Sequence, residues 1–367
     1  DNYDGLKEIA SNVKNGGKDV NTIQKEEEIS DFYPEFLNSN IEDWKERWDL
    51  EFGGDIAQQK FVSPSKYLFL LNYGRIYKDE KVLSHVKNTL DVIASSGLND
   101  FIEGGFYRYT VDNEWKIPHF EKMLYDQAQM ISLFSMGYKV FGDQSYKDIV
   151  SNTILFLSDK MSSTDGLYYA AMDADTDGEE GKYYSYELDE LKMISENTDF
   201  KLFLSYYNVD VQNPREKNRF LLLPNKFNYE KQWIDSNNIS KKELNGLINI
   251  WEKNINELKE DRTKPRIDDK IIVSWNSLAV IGLIDAFDAF KNENYLSIAK
   301  SMFKELKESS FRKGQLIHTY KENQFQEGVL EDYAYLSKAS MRLFQATGNI
   351  SYFDFSKKII DNALELF

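Results

Sequence analysis

Three stretches of this chain lie over one another: FGDQSYKDIVSNTILFL (141–157), KNENYLSIAKSMFKEL (291–306) and TGNISYFDFSKKIIDNA (347–363). Each sets a tyrosine (Tyr146, Tyr295, Tyr352) shortly after a polar turn. Apolar residues follow at +3 (Ile149, Ile298, Phe355), +8 (Ile154, Phe303, Ile360) and +11 (Leu157, Leu306, Ala363), which is helical spacing. A fainter copy starts near Val82, with Val86, Leu90 and Ile93 in the matching rows. Another apolar helix precedes every copy, at 64–78, 121–141, 274–290 and 331–346. The repeating unit is therefore a helical hairpin. Hairpins that cannot bury both faces alone must stack, into an open solenoid or a closed ring.

The connections favour the ring. Turns within hairpins, such as FGDQS and TGNIS, are short, whereas the connections between hairpins are long, aromatic and rich in carboxylates. That asymmetry predicts a mainly α fold, an (α/α)6-type toroid with short β-strands in long loops gathered on one face. Aromatic runs at 104–111, 166–172, 182–186, 220–224 and 315–320 read as those strands. Prolines 34, 64, 118, 214, 224 and 265 fall at segment starts or in connections, so none interrupts a helix. Residues 46–367 are expected to form the toroid, and residues 1–45, with KEEE at 25–28, a lead-in extension and linker helix. Because the chain stops within the apolar helix IIDNALELF, the toroid is expected to be incomplete at its C-terminal end and to belong to a longer polypeptide.

Composition narrows the partners. With 45 basic and 61 acidic residues the net charge is −16, which repels polyanions and argues against nucleic acid. The absence of cysteine excludes disulfides, thiolate metal sites and a cysteine nucleophile. No apolar run approaches about eighteen residues, and the N-terminus lacks a basic-then-apolar leader, so a cytoplasmic protein without a membrane partner is expected. No glycine-rich phosphate loop, HExxH or G-x-S-x-G occurs, and no cofactor or metal is expected.

Chemistry concentrates in four loops, each leading into the first helix of a hairpin. EGGFYRYTVDNEWKIPHFEKMLYDQ (103–127) carries Tyr107, Arg108, Trp115, His119, Glu121, Tyr125 and Asp126. Pro118 is expected to open the helix, setting His119 and Glu121 in its first turn with Tyr125 one turn beyond. The group offers a general acid or base beside a sugar-stacking aromatic, although an Arg108 pair with Glu121 or Asp126 would use the same residues structurally. GLYYAAMDADTDGEEGKYYSY (166–186) supplies Asp173 and Asp175. Its DADTDG matches the first half of a calcium loop, but Tyr184 stands where that loop needs a bidentate glutamate. Either aspartate, set against Glu121 or Asp126, would give the two carboxyls of glycosyl chemistry. KPRIDDKIIVSWNSLA (264–279) adds Arg266, Asp268, Trp275 and Asn276, and LEDYAYL (330–336) adds Glu331 and Asp332. His85, on a helix, and His318, in a short strand, read as surface or structural residues.

The stretches GGFYRYTVDNEWKIPHFEKMLYDQAQ (104–129), DADTDGEEGKYYSY (173–186), RIDDKIIVSWNSLA (266–279) and FQEGVLEDYAYL (325–336) resemble the YyaL and spermatogenesis-associated protein 20 family. PHFEKMLYDQ is the most specific string, and with the helices between them the matches cover most of residues 45–367. That family joins an N-terminal thioredoxin-like domain to a six-hairpin α/α toroid. The resemblance thus implies the toroid part, with the thioredoxin-like domain as a covalently attached partner. The family's toroid is similar to those of N-acylglucosamine 2-epimerases, cellobiose epimerases and six-hairpin glycosidases, which implies a small sugar-like ligand and a carbohydrate-active domain. His119, Glu121, Asp126, Asp173 and Asp175 would then be the catalytic candidates and the remaining loop residues the binding ones. Epimerases on this fold use two histidines, and only His119 lies at a matching loop, so a paired-carboxylate hydrolase fits the inventory better. The alternative is a noncatalytic sugar- or protein-binding scaffold for the thioredoxin-like domain. The chain departs from the family's GGFG and APKFP, with Glu51-Phe52-Gly53-Gly54-Asp55-Ile56 and then QQKFVSP (58–64).

Overall fold

The computed structural model describes residues 34–226, 229–321 and 324–367; the KEEE run lies outside them. The chain divides into two compact units, Asp1–Arg47 and Trp48–Phe367. In the first, helix α1 spans Pro34–Lys45.

The second unit is built from hairpins. The first two are α2 (Pro64–Tyr77) with α3 (Glu80–Ala94), and α4 (Leu124–Phe141) with α5 (Gln144–Lys160). After them come α6 (Leu188–Ile194), α7 (Phe200–Tyr206), α8 (Glu230–Asn237) and α9 (Lys241–Glu260). The pairs α10 (Val273–Phe290) with α11 (Glu293–Ser309), and α12 (Leu330–Thr347) with α13 (Ile350–Leu366), complete the hairpins among the described residues.

All four hairpin turns share one two-residue construction. The first helix ends on a residue in the left-handed region: Lys78 (φ 55°), Gly142 (φ 70°), Lys291 (φ 55°) or Gly348 (φ 70°). Its amide donates to the carbonyl four residues back, satisfying a helix end. The next residue (Asp79, Asp143, Asn292 or Asn349) caps the second helix by accepting from the amide two residues on. A left-handed residue followed by a short carboxyl or amide side chain therefore reverses the chain each time.

Helices α2, α4, α10 and α12 pack side by side in that order, each backed by its own hairpin partner. The repeated tyrosines tie the outer layer together. Tyr146 on α5 donates to Asp91 on α3 (2.5 Å), and Tyr295 on α11 bonds Ser151 on α5 (2.8 Å). Helix α10 lies so close to α4 that a Cβ on Gly282 would come within 2.7 Å of the Ala128 carbonyl oxygen. Among the described residues it is the one helix long and apolar enough to cross a membrane (18 residues, mean hydropathy 1.3), yet 67% of it is buried within the protein, as befits a core helix. The mainly α, toroid-type hairpin fold read from the repeat is thus what the structure shows.

Two points differ from the sequence reading. Residues 187–264 add no hairpin to the inner row, because α10 follows α4 directly. Helices α6 to α9 instead surround an aromatic core of their own, with Phe203, Tyr206, Tyr207, Trp233 and Trp251 at its centre. The runs at 182–186 and 220–224 are not strands. They meet at a single bridge, Tyr186 with Phe220.

The other loops do carry short strands: β1 (Tyr109–Thr110), β2 (Pro118–His119), β3 (Lys122–Met123), β4 (Ala171–Met172), β5 (Asp175–Thr176), β6 (Glu179–Glu180), β7 (Ile267–Asp268), β8 (Ile271–Ile272), β9 (Phe311–Arg312), β10 (Gln315–Lys321) and β11 (Gln324–Glu327). Strands β3, β4 and β7 form one antiparallel sheet, pairing Lys122 with Met172 and Met172 with Ile267. Strands β8, β10 and β11 form another, pairing Ile271 with Tyr320. These two sheets hydrogen-bond the four chemistry-bearing loops together at the N-terminal ends of α4, α10 and α12, the one-face arrangement that the repeat predicted. Beneath them lies a buried ionic cluster. Lys122 donates to Asp100 (2.7 Å) and to the Gly104 carbonyl (2.8 Å), while Lys259 on α9 pairs with Glu103 (3.1 Å). Burial alone would raise the Asp100 carboxyl; Lys122 and then Lys259 outweigh it and hold the group down at about 2. Such a cluster fixes position more than it stabilises, because both ions lose their water.

Candidate functional site

The site is assembled on the loop before α4. Gly104 and Gly105 turn the chain at φ 84° and 78°, where a side chain would be strained and where a Cβ would strike Asn152 or Phe156. The expected helix start at Pro118 is corrected: Pro118 and His119 form β2, and the helix begins at Leu124. Strand pairing sets Tyr109 opposite His119, with their rings stacked at 4.9 Å and Phe61 stacked behind Tyr109 at 4.6 Å. His119 Nδ1 lies 2.7 Å from Glu180 on β6, and its Nε2 lies 3.9 Å from Glu121. Arg108 donates both to Glu121 (2.9 Å) and to the Tyr125 hydroxyl (3.2 Å). Tyr125 in turn meets Trp275 edge-on at 4.8 Å, joining the N-termini of α4 and α10.

Asp126, the third residue of α4, is the chemically distinctive group. Its Oδ2 is buried with no hydrogen-bond partner among the described residues. The carboxyl is pushed up to about 7, chiefly by burial; Arg108 draws it partly back, and Glu121 adds a smaller push upward. A carboxyl poised near neutrality can both give and take a proton. Asp126, rather than His119 or Glu121, is the residue that lies in the first turn of α4.

Other sequence candidates are placed as follows. The β3–β4 register, continued by one residue, sets Glu121 across from Asp173, whose carboxylate holds Arg266 at 3.2 Å. Asp175 starts a hairpin in which β5 and β6 are joined by Asp177 (φ 54°) and Gly178 (φ 76°), a type I′ turn that favours Asp-Gly. DADTDG is thus strand and tight turn, with Asp177 turned to Lys182 (3.1 Å), rather than a cation-wrapping loop. Among the described residues no three His, Cys, Asp or Glu side chains stand together in a metal-holding group. Asp268 pairs with Lys270 at 2.9 Å, and Glu331 is exposed.

Four expected ligand contacts are corrected. Trp115 is fully buried, its indole N–H donating to the Phe52 carbonyl (3.0 Å). Tyr107 is buried beneath the Lys122 ammonium, 5.0 Å from its ring. Asn276 is fully buried and clamps the Tyr168 backbone, accepting from its amide (2.8 Å) and donating to its carbonyl (2.9 Å). Gln127 clamps Phe106 in the same way, and both amides stand fourth in their helices. Asp332 is fully buried, accepting from the Ser274 amide (3.0 Å) and the Val329 amide (2.9 Å) and meeting His318 Nδ1 at 2.9 Å.

Sequence reasoning missed Glu180, Gln127 and the engagement of His318 with Asp332. The available signal was positional: the third residues of α4, α10 and α12 are Asp126, Trp275 and Asp332. His85 is buried and stacked on Trp48 at 4.0 Å, and burial lowers its imidazole to about 4, so it is a core residue.

Fold and site together define an α/α hairpin protein with an acidic, aromatic cluster at the N-terminal ends of its inner helices. No protein-family model matches the chain. Among curated proteins it is similar to spermatogenesis-associated protein 20 of Mus musculus (27% identical over 359 aligned positions, covering 88% of this chain and 45% of that protein) and of Homo sapiens (26% over 360, covering 88% and 46%). It is also similar to an uncharacterised protein of Caenorhabditis elegans (28% over 342, covering 83% and 46%). The resemblance read from the motifs is thereby shown, and the chain spans about half the length of the curated relatives it matches. Solved structures with similarity include a sugar epimerase from a ruminal bacterium (16% identical, covering 89% of this chain and 83% of that one, TM-score 0.40) and a family 76 glycoside hydrolase from a bovine Bacteroides thetaiotaomicron strain (13%, covering 82% and 46%, TM-score 0.47).

Proposed function

We propose that this domain is carbohydrate-active, binding a small sugar-like ligand against Tyr125 and Trp275 and using Asp126 as its general acid–base. The observation that carries the reading is the unpartnered Asp126 carboxyl, held near neutrality beside an aromatic edge. Aromatic faces take the apolar side of a sugar ring, while carboxyls take its hydroxyls. Glu121 and Asp173, facing each other across β3 and β4, are the second carboxylates within reach of the same loops. Both hold arginines, so they suit orientation or charge stabilisation better than proton transfer. Hydrolysis by paired carboxylates and epimerisation by proton transfer are the two reactions the inventory supports, hydrolysis the better of them because His119 is engaged with Glu180. A noncatalytic sugar- or protein-binding scaffold serving an attached thioredoxin-like domain is the alternative. It is favoured by the Arg108 and Arg266 pairs, which spend two of the loop carboxylates structurally.

Calorimetry with mannose, glucose, N-acetylglucosamine and β-linked disaccharides tests the proposal. Binding that is lost in Trp275→Ala, with turnover lost in Asp126→Asn, is the expected result. A folded wild-type protein that binds none of these at millimolar concentration would remove the carbohydrate reading and favour the scaffold.

A further inference from the structure

Asp332 is fully buried, and among the described residues its carboxylate is met by two backbone amides and by His318. His318 Nδ1 lies 3.1 and 2.9 Å from its two oxygens, so the imidazole faces the carboxylate squarely. Asp332 itself cannot rotate away, because the Ser274 and Val329 amides hold one oxygen each (3.0 and 2.9 Å). A carboxylate fixed at Nδ1 keeps the proton on that nitrogen and leaves Nε2 to accept another. Nε2 has no protein partner among the described residues, and the His318 side chain is 26% exposed. The hydroxyl of Ser274, the residue whose amide holds Asp332, is also buried without a partner among the described residues. A purely structural histidine would be expected to use both ring nitrogens or to bury the second one.

We infer that His318 and Asp332 form a second acid–base centre, in which His318 Nε2 takes a proton from, or returns it to, a hydroxyl of a polyol ligand and Asp332 is its positioning residue. When a ligand O–H gives its proton to Nε2, the imidazolium that forms is balanced by the buried carboxylate. The ligand class rests on the carbohydrate reading above; the dyad does not. Trp275 neighbours Ser274, whose amide holds Asp332, and touches Tyr125, which neighbours Asp126. The two groups therefore stand at the N-terminal ends of α4 and α12, the inner helices that pack on α10.

Diethyl pyrocarbonate tests the inference on the whole chain, since it acylates accessible, unprotonated imidazole nitrogen and the chain has 3 histidines to map by peptide mass. His318 is expected to react at Nε2 faster than the stacked His85 by at least about tenfold, and Asp332→Asn to slow it by a similar factor while His119 is unchanged. A His318 as inert as His85 in folded protein, or a rate indifferent to Asp332→Asn, overturns the inference. Where Asp332→Asn fails to fold, a long-range proton–nitrogen spectrum of the wild-type protein at pH 8 decides instead. A bare Nε2 supports the dyad, and a protonated one overturns it. Absence of sugar binding with a reactive His318 removes only the ligand class, whereas sugar binding with an inert His318 removes only the dyad.

Discussion

The N-termini of α4 and α12 place the same residue at the same position and use it in opposite ways. Asp332, third in α12, is sealed in, with two amides and an imidazole on its oxygens. Asp126, third in α4, has a buried oxygen with no partner among the described residues. The repeat supplies the position, and the neighbours decide the chemistry. At α12 the adjacent inner helix offers the Ser274 amide and β10 offers His318. At α4 the cation that acts on the carboxyl, Arg108, is already divided between Glu121 and Tyr125. One aspartate has become part of the framework, and the other retains its affinity for a proton.

The largest expected effect breaks the sealed end. Asp332→Ala strands two amides and an imidazole, and should cost about 3–5 kcal/mol in chemical denaturation. A loss below about 1 kcal/mol would mean that those contacts are dispensable. The next effect sharpens the contrast through pH. The Asp126 carboxyl sits at about 7 in the folded chain against an ordinary value of 3.8, so the native state binds more protons between those values. Stability from this group is therefore full below about pH 4 and is lost as pH rises through about 7, by on the order of 4 kcal/mol. Asp126→Asn should abolish that slope and be more stable than wild type at pH 8, while losing any turnover. Parallel pH slopes for the two proteins would contradict the burial argument.

Smaller effects follow at the backbone clamps. Gln127→Ala and Asn276→Ala should each cost about 1–3 kcal/mol, because each leaves a buried amide and carbonyl of the neighbouring loop unpaired. Glu331→Gln, at an exposed position beside the sealed aspartate, should change stability by no more than about 0.5 kcal/mol.

The hairpins were legible because their signal is periodic and local. Helix starts read at 64, 274 and 331 fall within a residue of Pro64, Val273 and Leu330. The α4 start was misplaced because Pro118 is as compatible with a short strand as with a first helical turn, and strand pairing with Tyr109 and Thr110 decided between them. The aromatic core around Trp233 and Trp251 was invisible as a separate assembly, since its helices have the same apolar spacing as the hairpins and only packing separates them. At the site, residue types were readable and their states were not. Trp115 and Asn276 have the chemistry of ligand contacts, and only burial shows them committed to Phe52 and Tyr168. His318 looked structural because nothing in QLIHTY shows that Asp332, 14 residues on, faces it.

Proton transfer at this site requires Asp126 to titrate as an unpartnered carboxyl. Carbon-13 NMR of the aspartate side-chain carboxyls, recorded from pH 3 to 9 on wild type and Asp126→Asn, reads that directly. A resonance absent from the variant and titrating at about 7 is the predicted result. If the resonance that the variant lacks titrates near the ordinary 3.8, the carboxyl is solvated or paired, which would contradict its assignment as the acid–base group.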